Sequence, residues 1–343
     1  MNIGRKSFSL TRLFRLPVWL IGLALVFCVS LLNSCSHQTS APTATRPDTI
    51  RLDYAYYNPV SLVLKEKGWL EDNLKPDQIK VEWVLSQGSN KALEFLNSRS
   101  IDFGSTAGAA ALIGKANGNP IQSVYVFSKP EWTALVTQKD GPIQSVTDLK
   151  GKKVAATRGT DPYIFLLRSL DKFGLSDKDV EIIQLQHADG RAALEKGEVA
   201  AWAGLDPNMA KTELEQGSRL FFREPTFNSY GILNVRQEFA QQHPDYVQRV
   251  LTSYEKAKQW ALQNPNELKQ ILARNANLSD AVAAKQLERT DLSPSRIGEQ
   301  QKQVILAAGD VLKKSGVIKQ SVDVNQTVTE LIAPQYAEKI AKQ

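Results

Sequence analysis

The chain has 343 residues with 42 basic and 36 acidic side chains, and 42% of its residues are hydrophobic. This composition is typical of a globular protein and excludes the disordered, collagen-like and disulfide-rich classes. The formal net charge is +6, but Arg5, Lys6, Arg12 and Arg15 lie in an amino-terminal stretch that has no acidic residue. The rest of the chain carries little excess positive charge, and we expect no nucleic-acid partner.

The amino terminus has the organisation of an export signal. A charged stretch ends at Arg15 and an apolar run follows from Leu16 to Leu32, as in secretory signals. An uncleaved transmembrane helix is the alternative, since about 20 apolar residues span a bilayer. The sequence Leu32-Asn33-Ser34-Cys35 resembles a bacterial lipobox, which implies cleavage before Cys35 and lipidation of its thiol. We therefore predict a lipoprotein signal peptide at residues 1–34 and a membrane anchor at Cys35.

The segment after the lipobox is predicted to be a flexible tether over residues 35–47. It is rich in Ser, Thr, Ala and Pro and has no apolar periodicity. The second cysteine, Cys28, lies within the signal peptide, so the folded part has no disulfide. With roughly 300 residues it is long enough to bury a sufficient core without one.

From Ile50 onward, short apolar runs alternate with amphipathic segments of helical spacing. This alternation predicts an α/β fold in which crossover helices connect parallel strands. The predicted strands are Ile50–Tyr56, Ile79–Leu85, Ile101–Gly104, Gln122–Phe127, Ala134–Gln138, Lys153–Ala156, Val180–Leu185, Ala200–Ala203 and Arg219–Phe222. After Pro244 the pattern is almost wholly helical, and we expect this C-terminal third to pack on a sheet rather than to extend it.

Residues that could support catalysis are scarce. The three histidines, His37, His187 and His243, do not have metal-ligand spacing, and no cysteine is available in the folded part, so we predict no metal site and no cofactor. His187 could act as a lone base, but its position beside Asp189 in a turn favours a polar cap. The chain also lacks a nucleophile elbow, a Walker loop and a dinucleotide-binding glycine triplet. The pattern favours binding over catalysis.

Three segments have residues suited to holding a ligand at the carboxyl ends of strands, where open α/β sheets bind ligands. Gly104-Ser105-Thr106 is predicted to end a strand and to begin a helix, so that its hydroxyls and free N–H groups face an anion. Gly159-Thr160-Asp161-Pro162 follows a strand and precedes an amphipathic helix. Tyr56-Tyr57-Asn58-Pro59 offers aromatic area, phenol hydroxyls and an amide.

An ordered set of motifs resembles a known family. The set consists of Asn97–Thr106 (NSRSIDFGST), Ser145–Ala156 (SVTDLKGKKVAA), Arg158-Gly159-Thr160, Leu166-Leu167-Arg168, Asp189–Leu194 and Ala201–Pro207 (AWAGLDP). It is similar to the ABC-transporter substrate-binding proteins of the aliphatic sulfonate, taurine and nitrate group, and the resemblance runs from about Ile50 to Pro334.

The resemblance implies a two-lobed, type II periplasmic-binding-protein-like fold with two hinge strands, expected at Ala134–Gln138 and Gly231–Val235. The first lobe would contain residues 48–135 and 235–343, and the second lobe residues 139–230. The ligand would lie between them. The implied ligand contacts are Tyr57, Asn58, Gln87, Gly88, Ser105, Thr106, Gly159, Thr160, Trp202 and Asp206.

The implied roles of these contacts differ. Helix-start N–H groups with the Ser and Thr hydroxyls would hold the anionic head, while Trp202 and Tyr57 would cover the organic part. We expect Asp206 to act as a structural cap, since a carboxylate repels an anion.

The sequence also departs from the family pattern. Asp161 stands where family members carry hydroxyl residues; it either caps its helix with Pro162 in the first turn or points into the cleft and disfavours a sulfonate. Leu205 stands where an aromatic residue often precedes Asp-Pro, and Ala107–Ala110 are smaller than usual. These changes predict a roomier or less polar pocket than a taurine site.

Together these features predict an exported monomeric lipoprotein, facing the periplasm or cell exterior, that captures a small organic anion and delivers it to a membrane permease driven by a cytoplasmic ATPase. An aliphatic sulfonate is the expected ligand. The alternatives are binding of nitrate, bicarbonate or a heterocyclic compound, an enzyme on the same fold in pyrimidine or thiamine precursor metabolism, and a ligand sensor for a signalling partner.

Overall fold

Two β-sheets covered by helices form the structure, a computed structural model that describes residues 46–340. The predicted signal peptide, Cys35 and nearly all of the tether lie outside the described residues. Within residues 46–340, no helix combines the length and apolar character needed to cross a membrane.

Eleven strands are present in the described part of the chain, and the predicted strands Lys153–Ala156 and Arg219–Phe222 begin and end as expected. In chain order the strands are β1 Thr49–Tyr54, β2 Lys80–Leu85, β3 Phe103–Ala107, β4 Ile121–Pro130, β5 Thr133–Thr137, β6 Lys153–Ala156, β7 Glu181–Gln184, β8 Ala201–Leu205, β9 Arg219–Phe222, β10 Gly231–Arg236 and β11 Thr290–Asp291.

The described residues also form fifteen α-helices, eight of them after β10. They are α1 Pro59–Lys67, α2 Trp69–Leu74, α3 Ser89–Asn97, α4 Gly108–Ala116, α5 Asp161–Lys172, α6 His187–Glu195, α7 Asn208–Gln216, α8 Gln237–Gln242, α9 Pro244–Gln263, α10 Pro265–Ala276, α11 Asp280–Glu288, α12 Glu299–Leu306, α13 Gly309–Lys314, α14 Val324–Leu331 and α15 Gln335–Ile340. The α/β fold class and the helical C-terminal third are confirmed.

Each sheet combines parallel and antiparallel strands. The six-stranded sheet has the order β11-β4-β10-β3-β1-β2, and the five-stranded sheet the order β7-β6-β8-β5-β9. The strands joined by crossover helices are parallel, as predicted: β1 with β2 and β3, and β6 with β7 and β8. In contrast, β10 is antiparallel to β3 and β4, and β5 is antiparallel to β8 and β9. The chain reaches both β5 and β10 directly from the other sheet rather than through a crossover helix.

The chain passes between the sheets twice, through residues 131–132 after β4 and residues 223–230 after β9. The predicted hinge strands correspond to β5 and β10, which follow these two passages. Strand β5 pairs within the five-stranded sheet and β10 within the six-stranded sheet, so each is fixed in one sheet by its ladder. The covalent connections between the sheets lie immediately before these two strands.

The C-terminal helices cover the six-stranded sheet. Tyr254 and Val250 of α9 are fully buried, and the Tyr254 ring lies 6.0 Å from the ring of Tyr125 on β4. Burial of apolar side chains on this scale supplies most of the favourable free energy of folding. The expectation that this region adds nothing to a sheet was wrong in one detail, since β11 pairs with the outer edge of β4.

Local sequence signals define the helix that follows β1. The Asn58 side chain accepts a hydrogen bond from Ser61 N, Pro59 occupies the first helical position, and Gly68 ends α1 with φ 66°. An Asn cap, a proline in the first turn and a left-handed glycine at the end are typical of stable helix boundaries. They fix the Tyr57-Asn58 loop at the carboxyl end of β1.

Asp161 joins both connecting segments to the start of α5. Its buried carboxylate accepts hydrogen bonds from Trp132 Nε1 at 2.9 Å, from Ser229 N at 2.9 Å and from Ser229 Oγ at 2.7 Å. Trp132 lies in the first connecting segment and Ser229 in the second. The Ser229 hydroxyl also accepts from Ala109 N at the start of α4, so this network reaches both sheets. The helix cap itself is Thr160, and Asp161 does not serve as the cap.

We predict that Asp161→Ala lowers the free energy of unfolding by about 3 kcal/mol, because two buried N–H donors and the Ser229 hydroxyl lose their acceptor. Asp171→Ala in the same helix is the matched control. Asp171 is exposed and pairs with Lys314 on α13, so its loss should cost under about 1 kcal/mol. Urea denaturation of both variants tests this, and equal losses would contradict the role of Asp161.

Candidate functional site

Three of the predicted site residues form one network at the carboxyl end of β1. The Tyr57 hydroxyl donates to Ser105 O at 2.8 Å, and Asn58 Nδ2 donates to Ser105 Oγ at 2.8 Å. Ser105 N and Oγ both donate to Asp53 Oδ1 at 2.8 Å. All four side chains are buried. The sequence signals therefore come together, but Asp53, an acid within the strand, was missed because it lies inside an apolar run.

The prediction that Ser105 and Thr106 begin a helix was wrong. Strand β3 continues to Ala107 and α4 begins at Gly108, because β10 pairs with β3 from Phe103 to Ala107. The Thr106 hydroxyl accepts from Asn234 Nδ2 of β10 at 2.8 Å. These hydroxyls lie on a strand and are engaged within the sheet, so they present no helix-start N–H groups to a ligand.

The N-termini of three other helices converge between the two sheets. An ideal Cβ placed on Gly88, at the start of α3, would lie 2.8 Å from Asn90 Oδ1 and 2.8 Å from His187 Nε2 at the start of α6. A Cβ placed on Gly159, just before α5, would lie 3.5 Å from Asn90 Cβ. Helix α3 belongs to the six-stranded half, whereas α5 and α6 belong to the five-stranded half. The two halves thus approach each other at Gly88 and His187, and the space between these residues is too small for a side chain on Gly88.

This convergence has a defined electrostatic character. The first N–H groups of a helix have no partner within the helix, and its N-terminus carries a partial positive charge. Three such termini directed at one region favour an anion there. The predicted contacts Gly88, Gly159 and Thr160 belong to this region, and the exposed Gln87 immediately precedes it.

The Thr160 hydroxyl is already engaged by the protein. It donates to Thr157 O at 2.6 Å and thereby orders the turn between β6 and α5. The left-handed conformation of Gly159, with φ 77°, completes this turn. A ligand at this turn would contact its backbone N–H groups rather than the hydroxyl proton of Thr160.

Two predicted contacts lie apart from the convergence. The Trp202 ring is fully buried in an apolar cluster with Ala155 and Leu194, and its Nε1 lies against Gly190 of α6. Its indole therefore packs between the sheet and the helix. Asp206 Oδ1 accepts from Ala210 N at 2.8 Å in the first turn of α7, although the cap position itself is Pro207.

Asp206 also takes part in a contact between the two halves. Its Oδ2 lies 3.5 Å from Arg289 Nη1, and the same guanidinium bonds Glu213 of α7. Arg289 directly follows α11 of the six-stranded half. Burial raises the pKa of Asp206 to about 7, although the Arg289 charge opposes the shift.

Several buried polar atoms near the convergence lack a hydrogen-bond partner among the described residues. They are Asp53 Oδ2, Ser86 Oγ, Asn90 Oδ1, Gln186 Oε1 and His187 Nε2. Buried polar atoms are nearly always satisfied in folded proteins, so a group of unsatisfied ones marks a candidate ligand site. Sequence reasoning missed Asn90 and undervalued His187, although both stand at the start of a helix that follows a strand.

Metal binding receives no support from the described residues, in which no group of three or more His, Cys, Asp or Glu side chains could hold a metal ion.

Two halves joined by two short segments, with helix N-termini from both halves meeting between them, have the architecture of a two-lobed, type II periplasmic-binding-protein-like fold. A sequence model of the family described as NMT1/THI5 like matches residues 60–268, more than half of the chain. The chain belongs to the NMT1/THI5-like family.

Named relatives agree with this class. A Bacillus subtilis (strain 168) protein named "Putative aliphatic sulfonates-binding protein" is 29% identical over 309 residues, covering 89% of this chain and 93% of that protein. The alkanesulfonate-binding protein SsuA from Xanthomonas axonopodis pv. citri, solved bound to MOPS, superposes with a TM-score of 0.77 at 25% identity, covering 84% of this chain and 99% of that one.

The periplasmic aliphatic sulphonate binding protein SsuA from Escherichia coli superposes with a TM-score of 0.70 at 26% identity, covering 82% of this chain and 92% of that one. These relatives are named as binding proteins and not as enzymes. The resemblance inferred from the sequence motifs is confirmed, and a solute-binding role is supported.

Burial raises the pKa of Asp53 to about 6, although Ser105 N and Oγ donate to its carboxylate. Because folding raises this pKa above its usual 3.8, the folded state holds the proton more tightly than the unfolded state. Its stabilising contribution is complete below about pH 4 and is lost as the pH rises through about 6.

We therefore predict that Asp53→Asn removes a fall in unfolding free energy on the order of 2 kcal/mol between pH 4 and pH 7. Asp72→Asn, at an exposed position on α2, should leave the pH profile unchanged. Chemical denaturation at several pH values measures the slope. A slope in Asp53→Asn equal to that of the unaltered protein would contradict this assignment.

Proposed function

We propose that this chain is the extracytoplasmic solute-binding component of an ABC importer and that it captures a small organic anion, best matched by an aliphatic sulfonate. The observation that carries the proposal is the meeting of the N-termini of α3, α5 and α6 at Gly88, since this arrangement favours a negatively charged group. The sulfonate-binding names of the relatives support the same ligand class.

The proposed site uses the predicted contacts in two ways. Gln87, Gly88, Gly159 and Thr160 stand at the helix starts and would supply backbone donors to the anionic head. Tyr57, Asn58, Ser105 and Thr106 would form the wall on the side of the six-stranded sheet, held in place by Asp53 and Asn234. Trp202 and Asp206 would support the opposite wall from behind.

Delivery requires export and a membrane partner. We propose that residues 1–34 are removed, that lipid on Cys35 anchors the monomer, and that residues 35–47 tether the folded part outside the cytoplasm. The two lobes, one built on the six-stranded sheet and the other on the five-stranded sheet, would close on the solute. The closed form would then be recognised by the permease, whose cytoplasmic ATPase drives import.

A thermal-shift panel tests the ligand class on the full-length chain in mild detergent. We expect alkanesulfonates to stabilise the protein; a ligand at 100 times its dissociation constant adds about 2.7 kcal/mol. The panel also contains nitrate, bicarbonate and neutral heterocycles. Stabilisation by heterocycles alone would contradict the anion site, and stabilisation by nitrate or bicarbonate alone would replace the sulfonate. Turnover of a stabilising compound would instead favour the enzyme alternative.

We predict that Gly88→Ala weakens binding of a stabilising anion at least tenfold. Gly88 has an extended backbone with φ 167°, so alanine causes no backbone strain there. Its Cβ would crowd Asn90 of the same half and, when the halves close, would clash with His187 of the other half. Gly298→Ala is the matched control, because a Cβ there meets nothing within 4 Å. Titration calorimetry gives both dissociation constants, and equal affinities would argue against closure at Gly88.

A further inference from the structure

His187 lies in the proposed cleft and is used by none of the interactions described so far. It is 2% exposed and begins α6. Its Nε2 faces Gly88 of the opposite half and has no hydrogen-bond partner among the described residues. Buried polar atoms are nearly always hydrogen-bonded, so an unpartnered ring nitrogen where two lobes meet indicates a partner that is bound only in the liganded protein.

The tautomer of His187 follows from its neighbour Thr157. The Thr157 hydroxyl lies 2.7 Å from Leu185 O and 3.3 Å from His187 Nδ1. A carbonyl oxygen can only accept, so the single hydroxyl proton of Thr157 is donated to Leu185 O. Thr157 Oγ1 must then accept from His187 Nδ1, which therefore carries the proton.

The remaining ring nitrogen is consequently an acceptor. In a neutral imidazole with Nδ1–H, Nε2 carries the lone pair. Burial lowers the pKa of His187 to about 3, which keeps the ring neutral at physiological pH. Asn90 Oδ1, a second buried acceptor without a partner among the described residues, lies 2.8 Å from the same Cβ position on Gly88.

We propose that His187 is a specificity-determining residue whose Nε2 accepts a hydrogen bond from the bound solute, which is therefore an organic anion that also carries an N–H or O–H donor. This inference rests on the proposed function and narrows its ligand class. An unsubstituted alkanesulfonate offers acceptor oxygens and C–H groups and leaves Nε2 unsatisfied. An amino- or hydroxyalkanesulfonate supplies the missing donor.

Titration calorimetry on the full-length chain compares three ligands of similar size: ethanesulfonate, 2-hydroxyethanesulfonate and 2-aminoethanesulfonate. A buried acceptor left without a donor weakens binding by about tenfold or more. We expect at least one of the two donor-bearing ligands to bind about tenfold more tightly than ethanesulfonate.

Variants separate a direct contact from a structural role. His187→Phe removes the acceptor and should abolish the preference for donor-bearing ligands, whereas His187→Gln retains an acceptor and should restore part of it. His243→Phe, which alters a histidine of the other half that packs on Phe239, should leave the preference unchanged. Melting temperatures of the ligand-free variants confirm that each has folded.

Nitrogen NMR of the histidine rings measures the protonation of His187 directly. Imidazole nitrogen NMR shifts of the three histidines should show His187 with a proton on Nδ1 and a lone pair on Nε2, and the Nε2 signal should move when a donor-bearing ligand binds. This measurement does not depend on any substitution.

The outcomes are distinct. Equal affinity for all three sulfonates, or a preference that persists in His187→Phe, would overturn the role of His187 while leaving the proposed function intact. A protonated Nε2 would overturn it as well. If no organic anion binds, the proposed function fails and this inference fails with it.

Discussion

The carboxylate of Asp161 fixes the start of α5 to both segments that connect the two sheets. Its acceptor oxygens bind Trp132 before β5 and Ser229 before β10, and Ser229 continues the network to the first turn of α4. Because residues 131–132 and 223–230 are the covalent links between the sheets in the described part of the chain, the N-terminus of α5 stays beside the pivot of any lobe rotation. The position of Gly159 and Thr160 in the cleft depends on this arrangement.

A polar cleft follows from where the helices begin. The starts of α3, α5 and α6 supply partial positive charge. Donors of the protein bind both carboxylate oxygens of Asp161 and one carboxylate oxygen, Oδ1, of Asp53. Burial raises the pKa of both groups above the usual value for an aspartate. The proposed site therefore combines helix ends that favour an anion with buried acceptors, among them His187 Nε2, which faces Gly88 of the opposite half.

The sequence predicted the positions of strands and helices more accurately than the pairing of strands and the hydrogen bonds of side chains. Strands β6 and β9 were located to the residue because turn signals bound their apolar runs on both sides. Ser105 and Thr106 were misassigned because the partner that extends β3 is β10, which is distant in the sequence and leaves no local signal. Likewise, the turn at Thr160-Asp161-Pro162 suggests a cap, but the acceptor role of Asp161 depends on donors from Trp132 and Ser229.

The same reasoning explains which site residues were found. Glycines and hydroxyl residues after strands are visible in the sequence and led to the prediction of Gly159 and Thr160, whereas Gly88 was predicted from the family resemblance. Whether a buried side chain retains a free acceptor depends on its neighbours in space. The histidine at position 187 gave no local sign that Thr157 would fix its tautomer.

Closure of the two lobes around an anion is the central claim, and a distance measured across the cleft tests it most directly. Spin labels at Glu94 on α3 and at Lys196 after α6, both exposed, can be introduced after Cys28 and Cys35 are replaced by serine. Pulsed electron paramagnetic resonance should show one shorter, narrower distance distribution when a stabilising anion is added. An unchanged distribution in the presence of an anion that raises the melting temperature would contradict the account.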